Sequence, residues 1–428
     1  MIQEMVMVGG PNRSGFRRWA GVLLMAVVLA STACASTSAP NSGGQNSASG
    51  QAVRPTLAVA RSCATRHPST WMGCITDHDP GYANMALSGT AIPGAHDSGT
   101  FNLDQTSFDT QDGSNCTNYL PIYAKVPATI KAWGQTQTLD FTAQLNAGVR
   151  YFDFRIAYTG NAAQGWRIVH TQFSHDPLIS DVQAIATWAA AHRSEVVVID
   201  VQHLCYDNSP SLANEQALWA ELLPLASVTY DPTAGPSVAA ATLGGITHQS
   251  GGGHNVLLML PAYSRQTSIL LNVDHVHATF VTDPNAPHPS AGSPSVAGTL
   301  VPEAYAWASK VSPSSPAEYA VANHALAAFP STATPPLGGL KGRGLYQAQL
   351  IYSLSGSDIP ADLSDFTHFS GLIPAPGETK SAWEVGLWSA PFNRNSVLAE
   401  WGHRLNVVVS DGVQYGGYVP AVVEQNAS

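Results

Sequence analysis

Short apolar runs alternate with longer amphipathic stretches along most of the chain. The run from Glu195 to Asp200 is apolar at every interior position, as is typical of parallel strands covered by helices on both faces. Strands are predicted at 89–93, 150–156, 167–170, 195–201, 255–260, 278–282, 345–351 and 405–410. Helices are predicted at 140–147, 179–192, 211–224, 302–310, 317–328 and 393–402. This alternation predicts an α/β fold, and eight strands predict an irregular (β/α)8 TIM-like barrel.

Three stretches rich in glycine, proline and serine interrupt this pattern. They lie at 231–254, 283–298 and 330–344. Such composition is typical of loops, and the stretches fall between predicted strands and helices. We expect them to form long loops at the carboxyl-end face of the barrel.

The first 33 residues follow a different pattern, which is typical of a secretory signal peptide. Basic residues precede the apolar run 19–30, and small residues follow it. The run is shorter than the ~20 residues that a membrane-spanning helix needs. Residues 29–34 are similar to a bacterial lipoprotein cleavage box ending in Cys34, although Ser31 stands where leucine is usual.

The predicted organisation is therefore a lipoprotein-type signal peptide at 1–33, a flexible tether at 34–60 and one barrel at 61–428. The Ser, Ala, Gly and Asn content after Cys34 indicates the tether. We expect an exported protein, either a cell-surface lipoprotein or a secreted form that carries no lipid.

The net charge limits the class of partner, and the cysteines indicate the compartment. With 29 acidic and 19 basic side chains the net charge is −10, which argues against a nucleic-acid partner. Apart from Cys34, the four cysteines Cys63, Cys74, Cys116 and Cys205 suit a compartment that permits disulfides. Three pairings are open. The short loop between the first two favours Cys63–Cys74 together with Cys116–Cys205.

Histidine, arginine and acidic residues stand at the ends of four predicted strands. They are His96 and Asp97 on the first strand, Asp153 and Arg155 on the second, His170 on the third and Asp411 on the last. Barrel active sites form at the carboxyl ends of the strands, so these six side chains are expected to meet at one mouth. Two imidazoles can deprotonate an attacking hydroxyl and protonate a leaving oxygen. A guanidinium offsets the charge on phosphate oxygens, so the set suits phosphoryl transfer.

The motif Ile92-Pro-Gly-Ala-His-Asp-Ser-Gly-Thr100 resembles the opening signature of the bacterial phosphatidylinositol-specific phospholipase C family and its X-domain relatives. Residues 151–155, 194–199 and 406–411 are similar to the second, fourth and last strands of that family. The resemblance covers roughly residues 85–205 and 395–425. It implies a monomeric phosphodiesterase that acts on a phospholipid or inositol-phosphate substrate at a membrane surface.

The resemblance also implies a role for each candidate residue. His96 would deprotonate the inositol 2-hydroxyl, with Asp411 orienting its imidazole. Arg155 would stabilise the five-coordinate phosphorus, and His170 would protonate the diacylglycerol oxygen. The remaining carboxylates would hold Arg155 and His170 in position and raise the pKa of that histidine; they are Asp97 and Asp153. No cofactor or metal is implied, because calcium-dependent relatives carry acidic ligands in place of this arginine.

Two departures from the family pattern keep other functions open. Thr171 follows His170 where the family usually has glycine, and Gln202 and His203 stand where bacterial relatives have charged contacts to the inositol ring. One alternative is a non-catalytic surface lipoprotein that binds a lipid or glycan headgroup. The other is a metal-dependent glycerophosphodiester phosphodiesterase, against which Arg155 argues.

Overall fold

Twelve strands of one connected sheet organise the part of the chain that the structure, a computed structural model, describes. The described residues are 51–109, 121, 123–205, 212–231, 241–261, 275–278, 296–301, 306–307, 345, 347–350 and 406–427. The signal peptide, Cys34 and the predicted helices at 317–328 and 393–402 lie outside them.

The strands have the following bounds: β1 Ile92–Ala95, β2 Leu103–Phe108, β3 Tyr151–Tyr158, β4 Trp166–His170, β5 Gln172–Ser174, β6 Val197–Cys205, β7 Val256–Pro261, β8 His275–Ala278, β9 Val296–Val301, β10 Ala306–Trp307, β11 Gln347–Leu350 and β12 Val407–Ser410. The main path runs β10-β11-β12-β1-β3-β6-β7-β8-β9. Its pairs are parallel from β10 to β7 and antiparallel from β7 to β9. The predicted α/β class with a parallel sheet is confirmed. Within the described residues, the path has open ends at β9 and β10.

The strand predicted at 167–170 exists, but it is not a parallel barrel strand. It is β4, and it runs antiparallel to β3, with Tyr158 opposite Trp166. Only seven residues separate β3 from β4, whereas a parallel return needs a crossover of a dozen or more. A turn closed by the Thr159 N–H and the Gly165 carbonyl (3.1 Å) joins the two strands. β5 and β2 extend this antiparallel arm.

Three further predictions need correction. Of the strand predicted at 278–282, only Ala278 lies within the described residues, where it ends β8 (His275–Ala278), a strand antiparallel to β7. The helix predicted at 302–310 is wrong at its centre, where Ala306–Trp307 forms β10. The loop predicted at 231–254 contains a short helix, Leu243–Thr247, whose first turn is capped by the Thr242 hydroxyl. In each case the conformation of a short segment depends on neighbouring strands or on a helix cap. The pattern of apolar residues does not reveal such contacts.

Eight helices lie within the described residues: α1 Leu57–Arg66, α2 Trp71–His78, α3 Pro127–Gly134, α4 Phe141–Asn146, α5 Leu178–Ala191, α6 Leu212–Leu222, α7 Leu243–Thr247 and α8 Tyr418–Glu424. Helices α4, α5 and α6 agree with the predictions at 140–147, 179–192 and 211–224. The Asp140 carboxylate starts α4 by accepting a hydrogen bond from the Ala143 N–H (2.7 Å). None of the described helices combines the length and the apolar character that crossing a membrane requires.

Helices α1, α2 and α8 pack together outside the sheet, and the sequence pattern did not predict them. α1 begins at Leu57, within the last residues of the predicted tether. The predicted disulfide between Cys63 and Cys74 is confirmed, and it joins α1 to α2. Cys205 is buried and also disulfide-bonded, while its predicted partner Cys116 lies outside the described residues.

A fully buried ion pair connects α2 to the amino-terminal ends of β3 and β6. The Arg150 guanidinium donates to Glu195 Oε2 from Nε (2.9 Å) and Nη2 (2.7 Å). Nη2 also donates to the Ser69 carbonyl (2.7 Å). Glu195 in turn accepts from the Gly73 N–H (2.8 Å) in the first turn of α2. Buried charges are stable only when their hydrogen-bonding groups are satisfied in this way.

Candidate active site

His96 and Asp411 meet because β1 and β12 are parallel neighbours in register. Ala95 pairs with Ser410, so the residue after each strand emerges at the same edge of the sheet. His96 Nδ1 lies 2.6 Å from Asp411 Oδ1, and both side chains are buried. Burial would lower the pKa of His96, but Asp97 and Asp411 outweigh it and raise that pKa above its ordinary value.

The Arg155 guanidinium lies between His96 and two carboxylates. Arg155 Nε is 2.5 Å from Asp97 Oδ1, and Nη2 is 3.5 Å from Asp153 Oδ2. Nη2 also lies 3.0 Å from His96 Nε2. Burial would raise the pKa of Asp97, but Arg155 and the neighbouring histidines hold it well below its usual range. Burial raises the pKa of Asp153, against the influence of Arg155.

His170 reaches the same cluster from the antiparallel arm, at the last residue of β4. Its Nε2 lies 3.4 Å from Asp97 Oδ2, and its Nδ1 lies 2.8 Å from the Gly134 carbonyl. A carbonyl only accepts, so Nδ1 carries the proton of the neutral ring. Burial lowers the pKa of His170 to about 4, although Asp97 acts in the other direction. Asp97 thus raises the pKa of this histidine as expected, but burial is the larger effect and the net change is downward.

The two imidazoles face one carboxylate oxygen. His96 Nε2 is 3.5 Å and His170 Nε2 is 3.4 Å from Asp97 Oδ2. The two nitrogens therefore lie on one shared oxygen, close enough for both rings to reach one bound group. The structure brings together all six residues singled out from the sequence: His96, Asp97, Asp153, Arg155, His170 and Asp411. Their catalytic roles stay predictions.

Two groups among the described residues have donor atoms close enough to hold a metal ion. In one of them, Cys63 and Cys74 are joined in a disulfide and offer no thiolate. The other consists of His96, Asp97 and Asp153, and the Arg155 guanidinium contacts all three. A divalent cation at this position would be repelled by the guanidinium at hydrogen-bonding distance.

A polar cluster inside the sheet was not predicted from the sequence. The Tyr151 hydroxyl donates to the Asp200 carboxylate, and Gln202 Nε2 donates to the same hydroxyl (3.0 Å). Gln202 Nε2 also donates to Gln347 Oε1 (2.9 Å). Asp200 lies opposite Asp153 in the β3–β6 register, so the cluster adjoins the six residues. The polar residues Asp200 and Gln202, at alternate positions of β6, were the available signal.

The backbone is unusual beside both histidines. Asp97, directly after His96, has φ 44°, and Thr171, directly after His170, has φ 67°. Non-glycine residues rarely adopt this left-handed region, and such strain concentrates at functional sites. The Thr171 conformation is one that glycine adopts without strain.

Comparisons with known proteins agree with the motifs. No family model matches the chain. PI-PLC X domain-containing protein 2 of Homo sapiens is 32% identical over 134 residues, which are 31% of this chain and 43% of that protein. PI-PLC X domain-containing protein 3 of Danio rerio is 32% identical over 139 residues, which are 31% of this chain and 41% of that protein. The chain thus spans less than half the length of these relatives.

Solved structures extend the likeness to most of the chain. A phosphatidylinositol-specific phospholipase C from Staphylococcus aureus superposes with a TM-score of 0.50 and 16% identity, covering 85% of this chain and 99% of that one. A mutant of the same enzyme gives a TM-score of 0.51, also at 16% identity, over 85% and 98% of the two chains. This likeness concerns the fold, and it agrees with the predicted barrel class.

Proposed function

Because this chain is PI-PLC-like in its motifs and in its fold, we propose that it is a phospholipase C-like phosphodiesterase that cleaves a phospholipid headgroup without a metal ion. The observation that carries the proposal is the meeting of two imidazole Nε2 atoms at one Asp97 oxygen, beside the Arg155 guanidinium. An acid, a base and a fixed cation in one buried cluster are what metal-independent phosphodiester cleavage requires.

In the proposed reaction, His96 is the general base. Asp411 binds the Nδ1 proton, so Nε2 is left to take the proton of the inositol 2-hydroxyl. The hydroxyl oxygen then attacks phosphorus while Arg155 offsets the charge on the non-bridging oxygens. His170 Nε2 gives a proton to the leaving oxygen, which departs as diacylglycerol and leaves a cyclic inositol phosphate.

The two histidines start with protonation preferences opposite to these roles. The pKa of His96 is raised by Asp97 and Asp411 against the effect of burial, whereas burial lowers the pKa of His170. A bound phosphodiester adds a negative charge beside both rings, and a nearby anion favours the protonated form of a histidine. The negative charge of the bound substrate therefore favours the protonated form of His170. Because one histidine must be neutral and the other protonated, activity is expected to have a bell-shaped pH dependence.

Export is also part of the proposal. The basic and apolar pattern of residues 1–33 supports it, and so does the Cys63–Cys74 disulfide, which suits an oxidising compartment. Labelling expressing bacteria with a fatty-acid analogue tests the anchor. Label on the wild type and none on Cys34→Ala is expected for a lipoprotein, whereas an unlabelled protein in the medium indicates simple secretion.

The activity is tested with the full chain and vesicles of phosphatidylinositol, with EDTA present throughout. We expect release of diacylglycerol, and at least a 10²-fold loss of it in His96→Asn, on the scale of general-base catalysis. Glycosylated inositol and glycerophosphoryl substrates in parallel assays identify the headgroup. Saturable vesicle binding with no product from any substrate would favour a headgroup-binding protein. Activity that EDTA abolishes would favour the metal-dependent alternative.

A further inference from the structure

A short segment that carries no ionisable side chain contacts the imidazole of His170 and the backbone at His96 and beside Asp411. It comprises residues 134–138, Gly-Gln-Thr-Gln-Thr, which begin at the last residue of α3 and lead toward α4. The Gly134 carbonyl contacts His170 Nδ1 (2.8 Å). The Thr136 hydroxyl donates to the His96 carbonyl (3.2 Å), and the Thr136 carbonyl accepts from the Gly412 N–H (2.9 Å), next to Asp411.

Gln137 makes the most complete set of these contacts. Its side chain is fully buried. Nε2 donates to the His96 carbonyl (3.0 Å) and to the Ser410 carbonyl (2.9 Å), while Oε1 accepts from the Val413 N–H (3.3 Å). Both N–H donors and the carbonyl of the amide are therefore used. The amide therefore connects His96, directly after β1, to Ser410 and Val413, which lie before and after Asp411.

This bridge lies just beyond the last pair of residues that the sheet joins between β1 and β12. The last register pair is Ala95 and Ser410, and the His96 N–H still donates to the Ser410 carbonyl (3.2 Å). Beyond that pair, the Gln137 amide links the loop after β1 to the loop after β12, through its contacts with the His96 carbonyl and with Ser410 and Val413. Asp97, the next residue, already has a left-handed backbone.

We propose that Gln137 is a positioning residue, which holds His96 and Asp411 at the separation that their hydrogen bond requires. The proposal rests on the proposed function, in which that pair is the general base. Gln137 does not contact the reacting atoms, and it acts through the main chain of the two loops. The groups that face the His96 imidazole are Asp97, Asp153, Arg155 and Asp411. Of these, Asp97 and Asp411 follow directly the two residues whose carbonyls Gln137 binds, His96 and Ser410.

The test replaces Gln137 with methionine, which has a similar length but no amide. The control is Asn426→Leu. Asn426 is also buried and its side chain makes three hydrogen bonds. Two of them join it to Ala91, with Nδ2 donating to the Ala91 carbonyl (2.9 Å) and Oδ1 accepting from the Ala91 N–H (2.8 Å), and in the third Nδ2 donates to the Val423 carbonyl (3.1 Å). It lies at the opposite end of β1 from His96, so it matches the loss of hydrogen bonds without affecting the site.

Three readouts separate positioning from general stability: kcat, KM on phosphatidylinositol vesicles, and the pKa of His96 from NMR titration. For Gln137→Met we expect kcat to fall by about 10²-fold, as for a displaced catalytic group, with KM changed less than twofold. The pKa of His96 is expected to fall as the contact with Asp411 loosens. Asn426→Leu should change neither kcat nor the pKa of His96.

Equal losses of kcat in both variants, or an unchanged pKa of His96 in Gln137→Met, would overturn the proposal. If the wild type cleaves no substrate, the proposed function fails, and the NMR titration alone still decides whether Gln137 positions His96. If Gln137→Met does not fold, Gln137→Asn keeps the amide but shortens the side chain by one methylene. Gln137→Asn should then lower both kcat and the pKa of His96, as expected for Gln137→Met. Wild-type values of both would reject the positioning role of Gln137.

Discussion

The replacement Asp411→Asn isolates the contribution of one charge to the proposed base. Asparagine has nearly the same shape, so the main change is the loss of a carboxylate 2.6 Å from His96 Nδ1. In the proposed reaction His96 becomes positively charged, and Asp411 stabilises that charge. The side chains are buried, so water compensates little for the loss.

The size of the effect follows from the distance. The charge centres of an imidazolium and a carboxylate in this contact are about 4 Å apart, which at an effective dielectric constant near 20 corresponds to about 4 kcal/mol. At about 1.4 kcal/mol for each factor of ten, the rate constant kcat should fall by roughly 10³-fold. The pKa of His96 should also fall, because Asp411 is one of the groups that raise it. The acid limb of the kcat/KM profile then moves to lower pH.

The assay measures kcat and kcat/KM for diacylglycerol release between pH 4 and 9. Asp181→Asn serves as a matched control, because Asp181 is also buried but is not one of the six clustered residues. Asp181→Asn should keep wild-type kcat. A loss below tenfold in Asp411→Asn, or an acid limb that stays in place, would refute the role of Asp411 in charge stabilisation.

Two further predictions concern stability. Burial, together with Asp176 and Asp140, raises the pKa of Asp181 to about 8, so the folded state holds this proton and wild-type stability falls as pH rises from about 4 to 8. In urea melts Asp181→Asn should be more stable than wild type by at least about 1.4 kcal/mol at pH 8, and by less at pH 5; an equal gain at both would contradict this. Thr171→Gly relieves the φ of 67° and should raise the free energy of unfolding by about 1 kcal/mol, whereas Thr171→Ala, which keeps the Cβ, should not.

The sequence alone predicted the proximity of those site residues that parallel strands bring together. His96, Asp153, Arg155 and Asp411 lie on or just after neighbouring strands of the parallel sheet, β1, β3 and β12. In such a sheet, the carboxyl ends of adjacent strands meet at one edge, so apolar runs and the residues that end them predict proximity.

What the sequence did not predict depends on contacts with no periodic signal. The direction of β4 follows from a tight turn, and the lowered pKa of His170 follows from burial rather than from the nearby charges. Gln137 lies between two helices and far along the chain from its partner Ser410. Only the folded arrangement reveals that its amide is buried and fully hydrogen-bonded.

The buried pair of Arg150 and Glu195 limits how far the protein can be shortened. A fragment that starts just before β1 retains all six clustered side chains but lacks α1 and α2. Deleting α1 and α2 removes the Ser69 carbonyl from Arg150 and the Gly73 N–H from Glu195. Each buried donor or acceptor that is left without a partner costs about 1–3 kcal/mol, and a typical domain is stable by only about 5–15 kcal/mol. The helices α1 and α2 thus support the strands that carry the six clustered residues, and any shortened form of this protein must keep them.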